Sequence, residues 1–170
     1  DADYNNYSSV DRLGPEIVAR ALAVPDVRVV YKPHPRVPLS EDPFVQSGHH
    51  EVVRMLTEAA EQDPDAGHVV LEDADIRAVV PDCAAMVTDV SSVGLDWLYL
   101  RTEKPIFLTD RHRDAERLRQ DVPVSRCADV VDDSNLGDLT ALIADRLEHD
   151  EHHLGRVAMR HHYFDDLQVG

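Results

Sequence analysis

Apolar residues recur along this chain with two different periods. Stretches with apolar residues three and four apart, the mark of an amphipathic helix, alternate with short runs of β-branched residues, the mark of buried strands. Residues 1–12 are polar and predict a loop. Gly14-Pro15-Glu16 then opens a helix carried by Ile17, Val18, Ala21 and Leu22, and Pro25-Asp26 closes it. Val27 to Tyr31 predicts a strand buried on both faces. Residues 33–48 hold several prolines and predict a loop. His49 to Gln62 predicts a helix through Val52, Val53, Leu56 and Ala59, broken by Asp63-Pro64-Asp65 and Gly67. His68 to Leu71 predicts a strand, Asp75 to Val80 a helical turn, Ala84 to Thr88 a strand and Ser92 to Leu100 a helix. Pro105 to Leu108 predicts a strand, Arg113 to Gln120 a helix and Asp129-Val130-Val131 a brief strand. An amphipathic helix over Asn135 to His149 uses Leu136, Leu139, Leu142, Ile143 and Leu147. This alternation predicts an α/β fold, a Rossmann-like parallel sheet with helices on both faces, in a single domain over residues 1–170.

Length and composition agree with that picture. A chain of 170 residues, 43% hydrophobic, suffices for one domain with a real core. No stretch approaches the roughly 20 apolar residues of a membrane span. The chain shows no secretory signal and does not begin with Met, so it reads as a piece of a longer protein. A net charge of -16 argues against nucleic acid or anionic lipid as a general partner. Cys83 and Cys127 form no C-x-x-C motif and suggest no disulfide framework, which makes a reduced cytoplasmic setting the default.

Two segments carry the candidate chemistry. Tyr31-Lys32-Pro33-His34-Pro35 ends the first strand, and Thr88-Asp89-Val90-Ser91-Ser92 ends the strand over Ala84 to Thr88. In open parallel sheets, ligands bind at the carboxyl ends of strands. The second segment also opens a helix, whose first amides lack internal partners and suit a phosphate group. Ser91 and Ser92 would add hydroxyl donors there, while Asp89 would cap the helix or orient a hydroxyl. The plainer alternative makes Asp89, Ser91 and Ser92 ordinary capping and turn residues. In the first segment two prolines stiffen the loop around His34. His34 could donate to a phosphate oxygen or act as a general acid or base, and Lys32 could face the ligand or a neighbouring carboxylate. A rigid turn with a surface histidine is the alternative for the tetrapeptide alone. Placement of both segments on neighbouring strands of one sheet favours a shared phosphorylated ligand, a nucleotide diphosphate.

Other residues carry less. Arg111 and His112, after Asp110 at another strand end, are second-rank candidates for the same cleft. Asp73 and Asp75 precede a helix and read as caps. The pairs His49-His50, His152-His153 and His161-His162 point about 100° apart on a helix, which favours solvated faces over metal ligation. Trp97 and Tyr99, with Leu95, Leu98 and Leu100, read as the buried face of their helix. Nothing in the sequence suggests a metal.

The two segments, their order and their spacing resemble the C-terminal domain of the CDP-glycerol glycerophosphotransferases, the teichoic-acid polymerase and primase family. Members carry K-P-H-P at a strand end, here Lys32-Pro33-His34-Pro35. They follow it with T-D-Y-S-S, an aspartate and an aromatic-rich helix, here Thr88-Asp89-Val90-Ser91-Ser92, Asp96, Trp97 and Tyr99, and then Lys104-Pro105-Ile106-Phe107-Leu108. The match runs through most of residues 27–110 and weakens beyond 125. The resemblance implies the C-terminal, nucleotide-binding half of a GT-B glycosyltransferase. It implies transfer of glycerol phosphate, or a related polyol phosphate, from a CDP-linked donor such as CDP-glycerol to a teichoic-acid-like cell-wall polymer or its lipid-linked primer, with no cofactor. His34 would contact the donor phosphates or assist catalysis, and Ser91 and Ser92 would bind the diphosphate, with Thr88 and Asp89 shaping that loop; Lys32 at the first strand end joins them as a ligand-binding candidate. An acidic residue near Asp73 or Asp75 would lie by the ribose or base. Val90 departs from the family's tyrosine and alters packing beside the site. The acceptor-binding N-terminal domain and the opening central strand are expected upstream of Asp1, so this chain alone is expected not to catalyse transfer. The parent enzyme is expected on the inner face of the membrane. Homo-oligomerisation stays open, since swapping or dimerisation would cover strand edges left bare by the missing strand. Two other readings also stay open: a nucleotide-sugar 2-epimerase or sugar transferase of the same superfold, and a non-catalytic module of that fold.

Overall fold

A computed structural model describes residues 7–165. Residues 1–6 of the predicted opening loop lie outside the described residues. In chain order the elements are α1 (Gly14–Leu22), β1 (Val30–Tyr31), α2 (Pro43–Gln62), β2 (Val69–Val70), α3 (Ile76–Val79), β3 (Met86–Thr88), α4 (Ser92–Leu100), β4 (Ile106–Thr109), α5 (Ala115–Asp121), β5 (Asp129–Val131), α6 (Leu139–Glu148) and α7 (His153–Phe164). The protein is mixed α/β, with two small parallel sheets among the described residues. The residues gather into two compact units. One holds 9–75 and 133–144; the other holds 76–132 with 7–8 and 145–165.

In the first unit, β1 and β2 pair in parallel, with Val30 opposite Val69 and Tyr31 opposite Val70. The predicted strand from Val27 shrinks to two half-buried residues. The Val29 amide donates to His68 Nδ1 at 3.0 Å, a side chain, so the ladder does not extend upstream. Val18, Val52 and Leu56 form the core, with Leu22, Val29, Tyr31, Met55 and Val70 packed around them. The Ser9 carbonyl accepts from the amides of Arg12, Leu13 and Gly14 and so leads the chain into α1.

Helix α2 begins at Pro43, six residues ahead of the predicted start. Asp42 is its N-cap, accepting from the Phe44 amide at 2.8 Å and the Val45 amide at 3.4 Å, and Pro43 takes the first helical position. A capping aspartate followed by proline starts a helix efficiently. This short signal sits inside a proline-rich stretch that otherwise predicts a loop. Gly48 therefore lies within α2, where the chain's own backbone crosses it. A Cβ there would sit 2.3 Å from the Val10 carbonyl oxygen. Helix propensity alone favours Gly48→Ala by about 1 kcal/mol. The backbone clash reverses that sign, and urea unfolding of Gly48→Ala shows a loss of about 1–3 kcal/mol. A stabilised variant would mean that Val10 does not approach the helix.

The second unit is built on the order β3-β4-β5, all parallel, with Met86 opposite Ile106 and Phe107 opposite Asp129. Helices α4 and α5 lie on the chain between these strands, as parallel connections require. Central strand β4 is buried at all four positions. Trp97, Leu98, Ile106, Leu108, Val80, Val124, Cys127 and Ala128 form the core. Trp97 and Leu98 are fully buried, as the α4 pattern predicts.

Helix α7 is absent from the predicted elements, and its packing shows why. Its buried residue is Arg156, at 0% exposure, while Leu154 and Val157 are exposed. Met159 and Phe164 pack partly buried against the core, so the apolar positions of α7 divide between its inner and outer faces and form no single stripe. Arg156 donates from Nε to the Thr102 carbonyl at 2.9 Å and pairs both Nη atoms with the Asp150 carboxylate.

Burial pushes the Cys127 thiol up to about 11 from an ordinary 9.0, with nearby Arg156 pulling weakly the other way. A raised value means that the folded state disfavours the thiolate. Its contribution to stability is therefore complete below pH 9 and is lost as pH rises from 9 to about 11. Iodoacetamide at pH 8 is expected to label half-buried Cys83 in the native protein and Cys127 after unfolding. Equal native labelling of both, read by mass spectrometry, would contradict this burial.

Candidate functional site

The sequence sets the strands ending at Tyr31 and Thr88 side by side in one sheet. The structure corrects this: β1 pairs with β2 and β3 with β4, so these strand ends belong to separate sheets. Buried β-branched runs identify strands, but they do not encode which strands pair. Lys32 and His34 fall in one compact unit. Thr88, Asp89, Ser91 and Ser92 fall in the other.

At the end of β3 the predicted geometry is present. The strand stops at Thr88 and α4 starts at Ser92, with Ser91 extended at the N-cap. Both serines are exposed, and the Ser91 side chain makes no capping hydrogen bond. Ordinary capping therefore does not account for Ser91. The Gly94 amide turns back to the Ser91 carbonyl at 3.2 Å. Asp89 accepts at Oδ1 from the Thr109 hydroxyl of β4 at 2.7 Å, and its carbonyl accepts from Thr88 Oγ1 at 3.1 Å. Asp89 orients a hydroxyl of the protein and ties the phosphate-suited loop to the neighbouring strand.

The adjacent end of β4 carries Asp110, Arg111 and His112. Arg111 and His112 are half-buried in the turn that follows β4. Arg111 Nη1 donates to the Ser8 carbonyl at 2.8 Å, and the His112 ring meets the Tyr7 ring edge-on at 5.9 Å. Asp110 is 3% exposed. Its Oδ1 accepts from the His112 amide at 3.0 Å, and among the described residues nothing donates to its buried Oδ2. An unpaired buried carboxylate oxygen is costly and marks a strained or functional position. The sequence gives Asp110 no separate signal, because strand-end aspartates are common.

In the other unit, His34 is exposed and its ring is oriented. Nδ1 accepts from the Arg36 amide at 3.2 Å, so the neutral ring carries its proton on Nε2. The Val37 amide bonds the His34 carbonyl at 2.8 Å, closing the turn that the two prolines stiffen. Lys32 faces carbonyls rather than a carboxylate: Nζ donates to Pro33 O and Glu72 O, each at 2.9 Å. A cavity of about 420 Å³ opens at the carboxyl ends of β1 and β2, lined by Lys32, Pro35, Pro38, Leu39, Glu72, Asp73 and Ala74.

No protein-family profile, curated protein or solved structure matches this chain. The family resemblance thus rests on the motif residues themselves.

Two further points concern the histidines. His49 does not lie on a solvated face: it is 3% exposed, because α2 turns it inward beside Gly48 and Val52. His152 joins Asp129 and Glu151 in a group with metal-like spacing. Arg146, however, donates to Asp129 Oδ2 at 2.9 Å and Oδ1 at 3.2 Å and also pairs with Glu151. A guanidinium already occupies the charge a cation would need, so this group is an ion-pair network. Among the described residues no helix is long and apolar enough to cross a membrane.

Proposed function

We propose that this chain is the donor-binding domain of a CDP-polyol phosphotransferase, with a Rossmann-like fold of the GT-B type. The parent enzyme moves glycerol phosphate or a related polyol phosphate from a CDP-linked donor to a teichoic-acid-like polymer or its lipid-linked primer, at the cytoplasmic face of the membrane. The observation that carries this reading is the end of β3. Two exposed serines open a nine-residue helix directly after a parallel strand, and the Ser91 hydroxyl is left uncommitted by capping. Phosphate oxygens find there the first amides of α4, two hydroxyls and the positive end of the helix dipole. Thr88 and Asp89 fix the loop. In the other unit, His34 has Nδ1 occupied by the Arg36 amide and its Nε2 turned to other use, which suits donation to an anion. Lys32 is held at the K-P-H-P turn by two carbonyls and keeps its charge and a third N–H donor.

Calorimetric titration with CDP-glycerol, CDP and UDP tests this. Saturable binding of the CDP ligands, weaker for UDP, is expected. Ser92→Ala and His34→Ala each remove one hydrogen bond to a charged group, which corresponds to roughly tenfold or more in Kd. A folded protein that binds none of the three ligands would overturn the reading.

A further inference from the structure

Strand β1 is entered through an unusual rung. The Val69 amide donates to the Val29 carbonyl at 3.1 Å and the Leu71 amide to the Tyr31 carbonyl at 2.9 Å, as a parallel ladder requires. The same pattern would send the Val29 amide to the Gly67 carbonyl, two residues before Val69. Gly67 instead stands in the left-handed region at φ 69° and leads the chain out of the ladder. The Val29 amide turns to the imidazole of His68, whose Nδ1 lies 3.0 Å away. A side-chain nitrogen thus replaces a backbone carbonyl at the head of the strand that delivers Lys32-Pro33-His34-Pro35. Each of these strands is two residues long, so one rung is a large share of their pairing.

The direction of this bond fixes the state of the ring. A backbone amide only donates, so Nδ1 is unprotonated and the ring is neutral with its proton on Nε2. Protonation places an N–H on Nδ1, facing the Val29 N–H. The bond is then lost and two donors oppose each other. Val29 packs against Val18, Val52 and Leu56, where an amide without a partner is costly. The charged groups around the ring come from three segments. Glu61 of α2 shares with His68 a cavity of about 380 Å³, closed by Leu56, Thr57, Ala60 and Val70. Asp63 and Asp65 are exposed on the turn before Gly67, and Asp63 accepts from the Ala66 amide at 3.3 Å. Arg28 lies beside Gly67 and adds a positive charge. Among the described residues His68 makes no ion pair that would favour the protonated ring in this geometry. A carbonyl in its place would accept at any pH; the imidazole accepts only while it is neutral.

We propose that His68 is an acid-sensitive latch on β1: its neutral ring closes the ladder behind the K-P-H-P segment, and its protonation opens that ladder and loosens the segment from β2. The latch is independent of the donor-binding reading and stands or falls without it. NMR on the full chain provides the test. Hydrogen-exchange protection of the Val69 and Leu71 amides, corrected for the intrinsic pH dependence of exchange, is compared at about pH 7.5 and about pH 5, on either side of the ordinary histidine range. Protection in the wild type is expected to fall about fivefold on acidification, the loss of one hydrogen bond. His68→Asn offers an oxygen close to the place of Nδ1 and does not titrate, so its amides stay protected at both pH values. His68→Leu offers no acceptor, so its amides are poorly protected at both. A nitrogen spectrum of the wild-type ring at the higher pH is expected to show Nδ1 without a proton, a reading that needs no variant to fold. Equal wild-type protection at the two pH values, a fall that persists in either variant, or a proton on Nδ1 at the higher pH would overturn the proposal.

Discussion

Replacing Asp150 with alanine destabilises the protein by about 3–5 kcal/mol, the usual cost of leaving a buried charge without its partner. Arg156 is fully buried, and Asp150 takes both of its Nη groups, Nη1 at 3.1 Å from Oδ1. Among the described residues its other side-chain hydrogen bond goes to the Thr102 carbonyl. Loss of the carboxylate strands a fully buried guanidinium near Cys127. A domain of this size holds about 5–15 kcal/mol in total, so the variant should unfold at markedly lower urea. A double variant, Asp150→Ala with Arg156→Met, is expected to recover much of the loss, because it removes the charge along with its partner. Unchanged urea midpoints for Asp150→Ala would show that Arg156 finds solvent and that α7 is not docked as described. Recovery in the double variant separates the charge effect from a general loss of packing.

Trp97→Ala is expected to cost about 3–5 kcal/mol. The indole is at 0% exposure in the core beside β4. Its Nε1 donates to the Lys104 carbonyl at 3.1 Å, just before β4 begins. The ring thus fills the core and also pins the turn that delivers the chain into the central strand. Trp97→Phe keeps most of the apolar contact and loses the hydrogen bond, so it should cost about 1–3 kcal/mol. The difference between the two variants in chemical denaturation measures packing against hydrogen bonding. Equal losses would assign the whole effect to the indole N–H.

The elements most legible in the sequence are those whose own residues bury them. Helix α4 and strand β5 fall where the pattern places them, because Leu98 and Val131 are apolar and also buried. The serine-bearing loop is legible for a related reason: Thr88 ends a run of apolar residues and Ser91 begins a helical one. Elements held by polar groups are less visible. Helix α7 docks through Arg156 with Met159 and Phe164 beside the core while Leu154 and Val157 face outward, and the start of α2 is set by the Asp42 cap, so apolar periodicity marks neither clearly. His49 was equally hidden, since a histidine pair on a helix points in two directions and the register decides which one turns inward.

By itself, then, the sequence determined the α/β character, most strand and helix positions, and the residues that end strands β1 and β3. These follow from local backbone preferences and from the transfer of apolar side chains out of water, both of which act over a few neighbouring residues. Tertiary structure decided which strands pair, that two carbonyls hold Lys32, that Asp110 keeps a buried oxygen with no donor among the described residues, and that His49 stands behind Glu72. Each of these depends on groups brought together from distant parts of the chain. A hydrogen bond or ion pair is fixed by distance and angle, which no local pattern of residue types specifies.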